Sequence, residues 1–238
     1  VDWAVQGDLI AYDRRSSDGY YDLYLTTPEG TLERCLTCPL LEFRKVHAFN
    51  PSWHPSGKLL VFQAQPAARK LEMGPTAFAT PDRGLHSQLW TISRDGQVFL
   101  QLLEPLPGRA ILDPHFSHEG DLLAWSERYA SRRGKWGAWE VEVAPFSMRV
   151  EIPKLGKVRS LKAASTPSFV EVHGFSPNDR RLLVSANLEV GQREEGMDLY
   201  WLDLGDQPPE RLTSTLGDWD EHGHLSPDGR YLAWTSNR

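Results

Sequence analysis

The feature that most constrains this chain is a strand–turn–strand pattern that recurs five times. It reads "VDWAVQGDLIAY" (1–12), "NPSWHPSGKLLVF" (50–62), "LDPHFSHEGDLLAW" (112–125), "EVHGFSPNDRRLLV" (171–184) and "DEHGHLSPDGRYLAW" (220–234). The turn residue falls at Gly7, Gly57, Gly120, Asp179 and Gly229, at intervals of 50, 63, 59 and 50 residues. A two-residue hairpin turn demands positive φ, which Gly, Asp and Asn tolerate best. Pro55, Pro177 and Pro227 precede that turn residue, where a strand end needs no ladder donor.

A second signature follows each hairpin: "YDLYLTTPEG" (21–30), "SQLWTISRDG" (87–96), "AWEVEVAPF" (138–146) and "MDLYWLDLGD" (197–206). These alternate with period two, as half-buried strands do. Short fourth strands are expected at 31–37, 97–103, 148–153 and 209–214. One period is therefore an antiparallel four-stranded meander without a helix. Repetition of such sheets predicts an all-β fold, a β-propeller of four complete blades and the first half of a fifth. The repeats span about 1–37, 49–103, 112–153, 170–214 and 220–238 of a single domain covering 1–238. Two β-sandwich domains are the alternative, but they do not explain one pattern recurring five times. The fifth repeat stops at "TSNR", after its second strand. Because sheets avoid unpaired edges, the expectation is a truncated ring.

Composition narrows the function classes. A net charge of −6 argues against a nucleic-acid binder, which needs a basic face. No apolar run reaches the 18 residues of a membrane-spanning helix, so no membrane span is expected. No charged-then-apolar segment opens the chain, and its start at Val1 without a Met reads as a boundary set either by processing or by the choice of segment. There is no G-x-S-x-G elbow, no P-loop and no dinucleotide fingerprint.

The up-and-down order of strands puts the long second-to-third connections, 65–86, 127–137 and 187–196, on one face. The opposite face is expected to carry only tight turns. Loops on a rigid scaffold are where binding tends to reside, so the loop-rich face is the expected working face. His115, His173, His222 and His224 open the innermost strands on that face. Four imidazoles at one channel mouth would suit a divalent metal such as Mn, Zn or Ca, with Asp218, Asp220 and Glu221 as further oxygen ligands or orienting groups. Hydrogen bonding of the same histidines to neighbouring strands is the alternative. The segment "RYASRRGKWGAWE" (128–140) brings Arg132 and Arg133 beside Trp136 and Trp139, a combination that could grip an acidic sugar by charge and ring stacking.

Cys35 and Cys38 form a C-x-x-C with no following His and no second pair, which excludes c-type haem attachment and a zinc ribbon. A local disulfide and two free thiols both remain open.

"HLSPDGRYLAWTSNR" (224–238), with blocks like "MDLYWLDLG" and "ERLT", resembles the WD40-like repeat of TolB and related propellers along the whole chain. That resemblance implies a binding module, docking a protein or a glycan through its loop-rich face. It also implies export to the periplasm or the cell exterior, with the cytoplasm left open. The histidines resemble the metal-holding cluster of oligogalacturonate lyases. The likeness covers His173, His222 and His224, with His115 as a looser fourth. It implies, as a second reading, a metal-dependent lyase acting on acidic oligosaccharides.

Overall fold

The computed structural model describes residues 1–66, 86–104, 109–130, 137–149, 152–163, 168–192, 196–205, 207–214 and 217–238. Each recurring pattern begins the same way, with a type I turn closed by a residue at positive φ. In "SPDG" the Gly229 N–H donates to the Ser226 carbonyl (2.8 Å) and the Ser226 N–H to the Tyr231 carbonyl (2.9 Å). Asp179, Gly57, Gly120 and Gly7 close the same turn at φ of 54°, 64°, 75° and 74°. The expected two-residue turn is thus replaced by a longer one. Ser at the first position, Pro at the second and Gly at the fourth are the residues a type I turn favours. The Ser226 hydroxyl adds a bond to Asp228 Oδ1 (2.7 Å) and accepts the Tyr231 N–H (3.0 Å), which fixes the strand entry.

These turns organise five antiparallel sheets. The first runs in order β1 (Asp2–Trp3), β2 (Ile10–Arg15), β3 (Tyr21–Thr26) and β4 (Glu33–Cys35). The second runs β5 (Val46–Trp53), β6 (Leu59–Pro66), β7 (Gln88–Ser93) and β8 (Phe99–Leu103). The third contains β9 (Ala110–Phe116), β10 (Leu122–Ala130), β11 (Ala138–Arg149) and β12 (Ile152–Leu155), with β13 (Arg159–Leu161) also paired to β11. The fourth is β14 (Val170–Phe175), β15 (Arg181–Ala186), β16 (Asp198–Asp203) and β17 (Glu210–Arg211). The fifth has two strands, β18 (Asp220–Leu225) and β19 (Leu232–Ser236). Among the described residues, no helix is long and apolar enough to cross a membrane.

The third sheet departs from expectation. The strand expected at 148–153 is split between the end of β11 and β12, and β13 pairs Arg159–Leu161 with Val143–Val141. "RSL" is too short and too polar to announce itself as a strand.

The chain forms two compact units, Val1–Pro114 with Ser147–Leu155, and His115–Phe146 with Gly156–Arg238. In the first, Leu23, Leu25, Leu60, Phe62 and Ile92 build the core, with Phe43 set edge-on to Trp90 at 5.2 Å. In the second, Trp125, Leu123, Leu182, Leu183 and Tyr200 are almost fully buried. Burying such a side chain contributes about 1.5–3 kcal/mol.

A polar device recurs within these cores. The residue six positions after the turn is polar in all five repeats: Asp13, Gln63, Ser126, Ser185 and Thr235. The first strand of the next sheet carries a bulge or a positive-φ residue at Asn50, Asp113, His173 or His222. A bulge leaves backbone groups outside the ladder. Asp13 Oδ1 accepts the Asn50 N–H (3.2 Å), Gln63 Oε1 the Asp113 N–H (2.9 Å) and Ser126 Oγ the Val172 N–H (3.0 Å). Each of the first three sheets thereby satisfies a backbone donor of the one that follows.

Candidate binding cleft and histidine cluster

In the first unit the β2–β3 connection and the chain after β4 enclose a cleft of about 480 Å³. It is lined by Arg14, Arg15, Tyr20, Tyr24, Cys38 and Arg44 among others. Arg14 lies over the Tyr24 ring at 4.1 Å and donates to Glu33 Oε2 (2.8 Å), so its guanidinium is already oriented. Arg15 Nε is tied to the Gly19 carbonyl (3.2 Å). Arg44 is exposed, and among the described residues no side-chain partner holds it. All three lie at the end of the sheet that the sequence marks as the working face. A guanidinium presents a planar fork of donors that matches a carboxylate.

Cys35 and Cys38 are disulfide-bonded, with their Cα atoms 5.7 Å apart. Of the two pairings left open by the sequence, the disulfide is the one found. Asp22 lies beneath it, buried, and its two oxygens accept from Ser16 Oγ (2.6 Å) and Thr37 Oγ1 (2.8 Å).

The opposite end of the first unit is not plain. A second cleft of about 580 Å³ is lined there by Gln6, Arg34, Lys58, Arg94, Val98 and Met148. Its arginines are engaged internally: Arg34 donates to the Asp95 carbonyl (2.7 Å), and Arg94 pairs with Asp8. Tight turns alone gave no sign of this cleft, because its walls come from three different hairpins.

His115, His173, His222 and His224 all lie in the second unit. His173 sits at the bulge of β14, half-buried, and its Nε2 meets Ser185 Oγ at 2.5 Å. The His173 and His222 rings are 5.9 Å apart and steeply inclined. Burial, and then the charges of His115, His222 and His224, hold the His173 imidazole well below its usual range. The four residues are therefore neighbours, as their positions in the repeat imply. Their side chains do not converge as expected. His222 has φ of 50°, and two residues of β18, His222 and Gly223, face one of β19 between Glu221 and His224, which breaks the alternation that would put His222 and His224 on one side. His222 Nε2 is 3.6 Å from Glu221 Oε2, whose carboxyl is raised by burial. Asp220 is engaged by Trp234 Nε1 (3.1 Å).

Among the described residues, the only group of three or more His, Cys, Asp or Glu ligand atoms lying within 4.8 Å of one another is Asp22, Cys35 and Cys38. The ligand atoms of His115, His173, His222 and His224 do not form such a group. Of the cationic and aromatic residues expected to grip a sugar, Arg132, Arg133 and Trp136 lie outside the described residues. Trp139 is 2% exposed and packs edge-on to Phe169 at 5.3 Å, which leaves no free ring face for a ligand.

No family model and no curated protein sequence matches the chain. Solved structures do. TolB from Acinetobacter baumannii superposes with a TM-score of 0.64 at 15% identity, covering 95% of this chain and 46% of TolB. A protein assigned as TolB from Agrobacterium tumefaciens gives 0.61 at 15% identity, over 98% of this chain and 73% of its own. A puromycin-hydrolysing peptidase of Mycobacterium tuberculosis gives 0.58 at 16% identity, over 96% and 35%. The chain spans about half the length of the first of these. At such identities the likeness shows the fold: an all-β, TolB-like propeller of four-stranded antiparallel blades.

Proposed function

We propose that the chain is a binding module that takes a carboxylate-bearing ligand into the arginine-lined cleft of its first unit. The observation that carries this reading is the grouping of Arg14, Arg15 and Arg44 with Tyr20 and Tyr24 around about 480 Å³ of open space. Charge-assisted bonds to guanidinium contribute about 1.5–3 kcal/mol each, and the tyrosine rings add flat apolar surface. The ligand is an acidic segment of a protein partner or an acidic glycan. The Cys35–Cys38 disulfide favours an oxidising compartment, the periplasm or the cell exterior.

The test is titration with an oligoglutamate peptide and, separately, an oligogalacturonate. Whichever binds should bind less tightly in high salt. Arg15→Ala and Arg44→Ala should each weaken it by about tenfold. Binding of neither probe, or binding indifferent to both substitutions, overturns the reading.

A second reading, a metal-dependent enzyme on acidic oligosaccharides, is favoured only by the gathering of His115, His222 and His224 around His173. It requires the imidazoles to reorient. Metal analysis of the purified chain decides it: no stoichiometric Mn, Zn or Ca, and no thermal stabilisation on adding them, eliminates it.

A further inference from the structure

The Cys35–Cys38 disulfide and Asp22 carry chemistry that ligand binding in the cleft does not use. Asp22 is a carboxylate 7% exposed. Buried carboxylates are ordinarily paired with a cation or coordinate a metal. Among the described residues Asp22 has neither, only the hydroxyls of Ser16 and Thr37. An ionised carboxylate offers about four lone-pair sites, so acceptor capacity is left over.

The sulfur atoms stand beside it. Asp22, Cys35 and Cys38 present ligand atoms that all lie within 4.8 Å of one another. The Cys38 N–H donates to Cys35 Sγ (3.0 Å), a bond that favours negative charge on that sulfur. Cys38 is exposed, and both it and Asp22 line the cleft, so reductant and cation share one route in.

We propose that this is a redox-gated metal site: once the disulfide is reduced, Cys35, Cys38 and Asp22 bind one thiophilic divalent cation, of which Zn²⁺ is the type. The gate opens by thiol–disulfide exchange with a dithiol. One thiolate of the dithiol attacks Cys38 Sγ, the S–S bond breaks, and Cys35 leaves as a thiolate. The second thiol of the reductant then displaces Cys38 and forms the reductant's own disulfide. The protein gains two electrons and two protons, held as two thiols. Binding of the cation releases those two protons and forms two metal–sulfur bonds and one metal–oxygen bond. Two thiolates and a carboxylate suit Zn²⁺, which binds sulfur at about 2.3 Å and oxygen at about 2.0–2.2 Å and takes four ligands.

The experiment uses the full chain, reduced with a phosphine and titrated anaerobically with Co²⁺. The reduced protein should develop a thiolate-to-cobalt charge-transfer band that saturates at one equivalent and is erased by Zn²⁺. The oxidised protein should show none. Cys35→Ser with Cys38→Ser should abolish the band, and Asp22→Asn should weaken binding by about tenfold or more, the loss that even outer-shell substitutions bring. Absence of the band in the reduced chain, an equal response from the oxidised chain, or full affinity in folded Asp22→Asn overturns the proposal. The reduced-against-oxidised comparison decides the matter without any variant, should Asp22→Asn fail to fold.

Discussion

Replacing Gln63 tests how the sheets are joined. Gln63 is fully buried on β6, and its amide acts as one rung of an additional strand. Oε1 accepts the Asp113 N–H (2.9 Å) and Asn50 Nδ2 (2.8 Å), while Nε2 donates to the Ile111 carbonyl (2.7 Å). Ile111 and Asp113 are two apart on β9, so their free groups point the same way and one amide spans both. Gln63→Met keeps the volume and removes the bonds. Asn50 keeps Asp113 as a partner, but two backbone groups lose theirs. At about 1–3 kcal/mol for each buried group left unsatisfied, discounted because the Asp113 N–H is only partly buried, the cost is about 2–5 kcal/mol. Leu60→Met, at an equally buried position of the same strand, changes shape without touching a polar group and should cost under about 1.5 kcal/mol. Urea unfolding followed by tryptophan fluorescence measures both. If Gln63→Met costs no more than Leu60→Met, the polar rung is not what joins β6 to β9.

Two further outcomes follow from the second unit. Gly223→Ala places a Cβ 2.8 Å from Leu183 Cδ2 and 3.3 Å from Leu199 Cδ2 in a closed core, so it should destabilise by about 1–3 kcal/mol in thermal or urea unfolding; a neutral result would mean β18 does not pack against β15 as described. His173 is held below its usual range in the folded chain, so the unfolded chain takes up that proton first. Stability contributed by neutral His173 is present above about pH 6.5 and is lost as pH falls through that value towards the folded pKa. His173→Gln should flatten this decline by up to about 1.4 kcal/mol per pH unit, and an unchanged profile would place the responsible proton elsewhere.

The fold was legible because its turns are chemically explicit. Ser-Pro-Asp-Gly at 226–229 and its counterparts announce themselves in any one repeat, and their recurrence sets the sheet count. The fourth strand of the third sheet was not legible, since β11 runs on through Pro145 and the pairing of Arg159–Leu161 depends on tertiary contact rather than on propensity. The histidines were legible as neighbours but not in orientation. Period-two reasoning puts His222 and His224 on one side, and a bulge cancels it. That bulge had a sequence signal, the glycine or proline following Asn50, Asp113, His173 and His222. The arginine-lined cleft was legible only as an end of the sheet, because Arg14, Arg15 and Arg44 come together through the path the chain takes after Cys38.

The hand-over at the first three junctions between sheets bears on how a chain of this kind can change in length. The acceptor is a carboxylate at Asp13, an amide at Gln63 and a hydroxyl at Ser126, yet each takes the same backbone N–H. A backbone donor has no identity, so any one repeat can follow any other and still find its acceptor in place. Whole repeats can therefore be duplicated, lost or exchanged without redesigning the joints, whereas a cut inside a repeat separates an acceptor from the bulge it serves. Gene rearrangements that keep these chains folded should break between repeats, and side-chain variation at the rung should be wide as long as an oxygen remains.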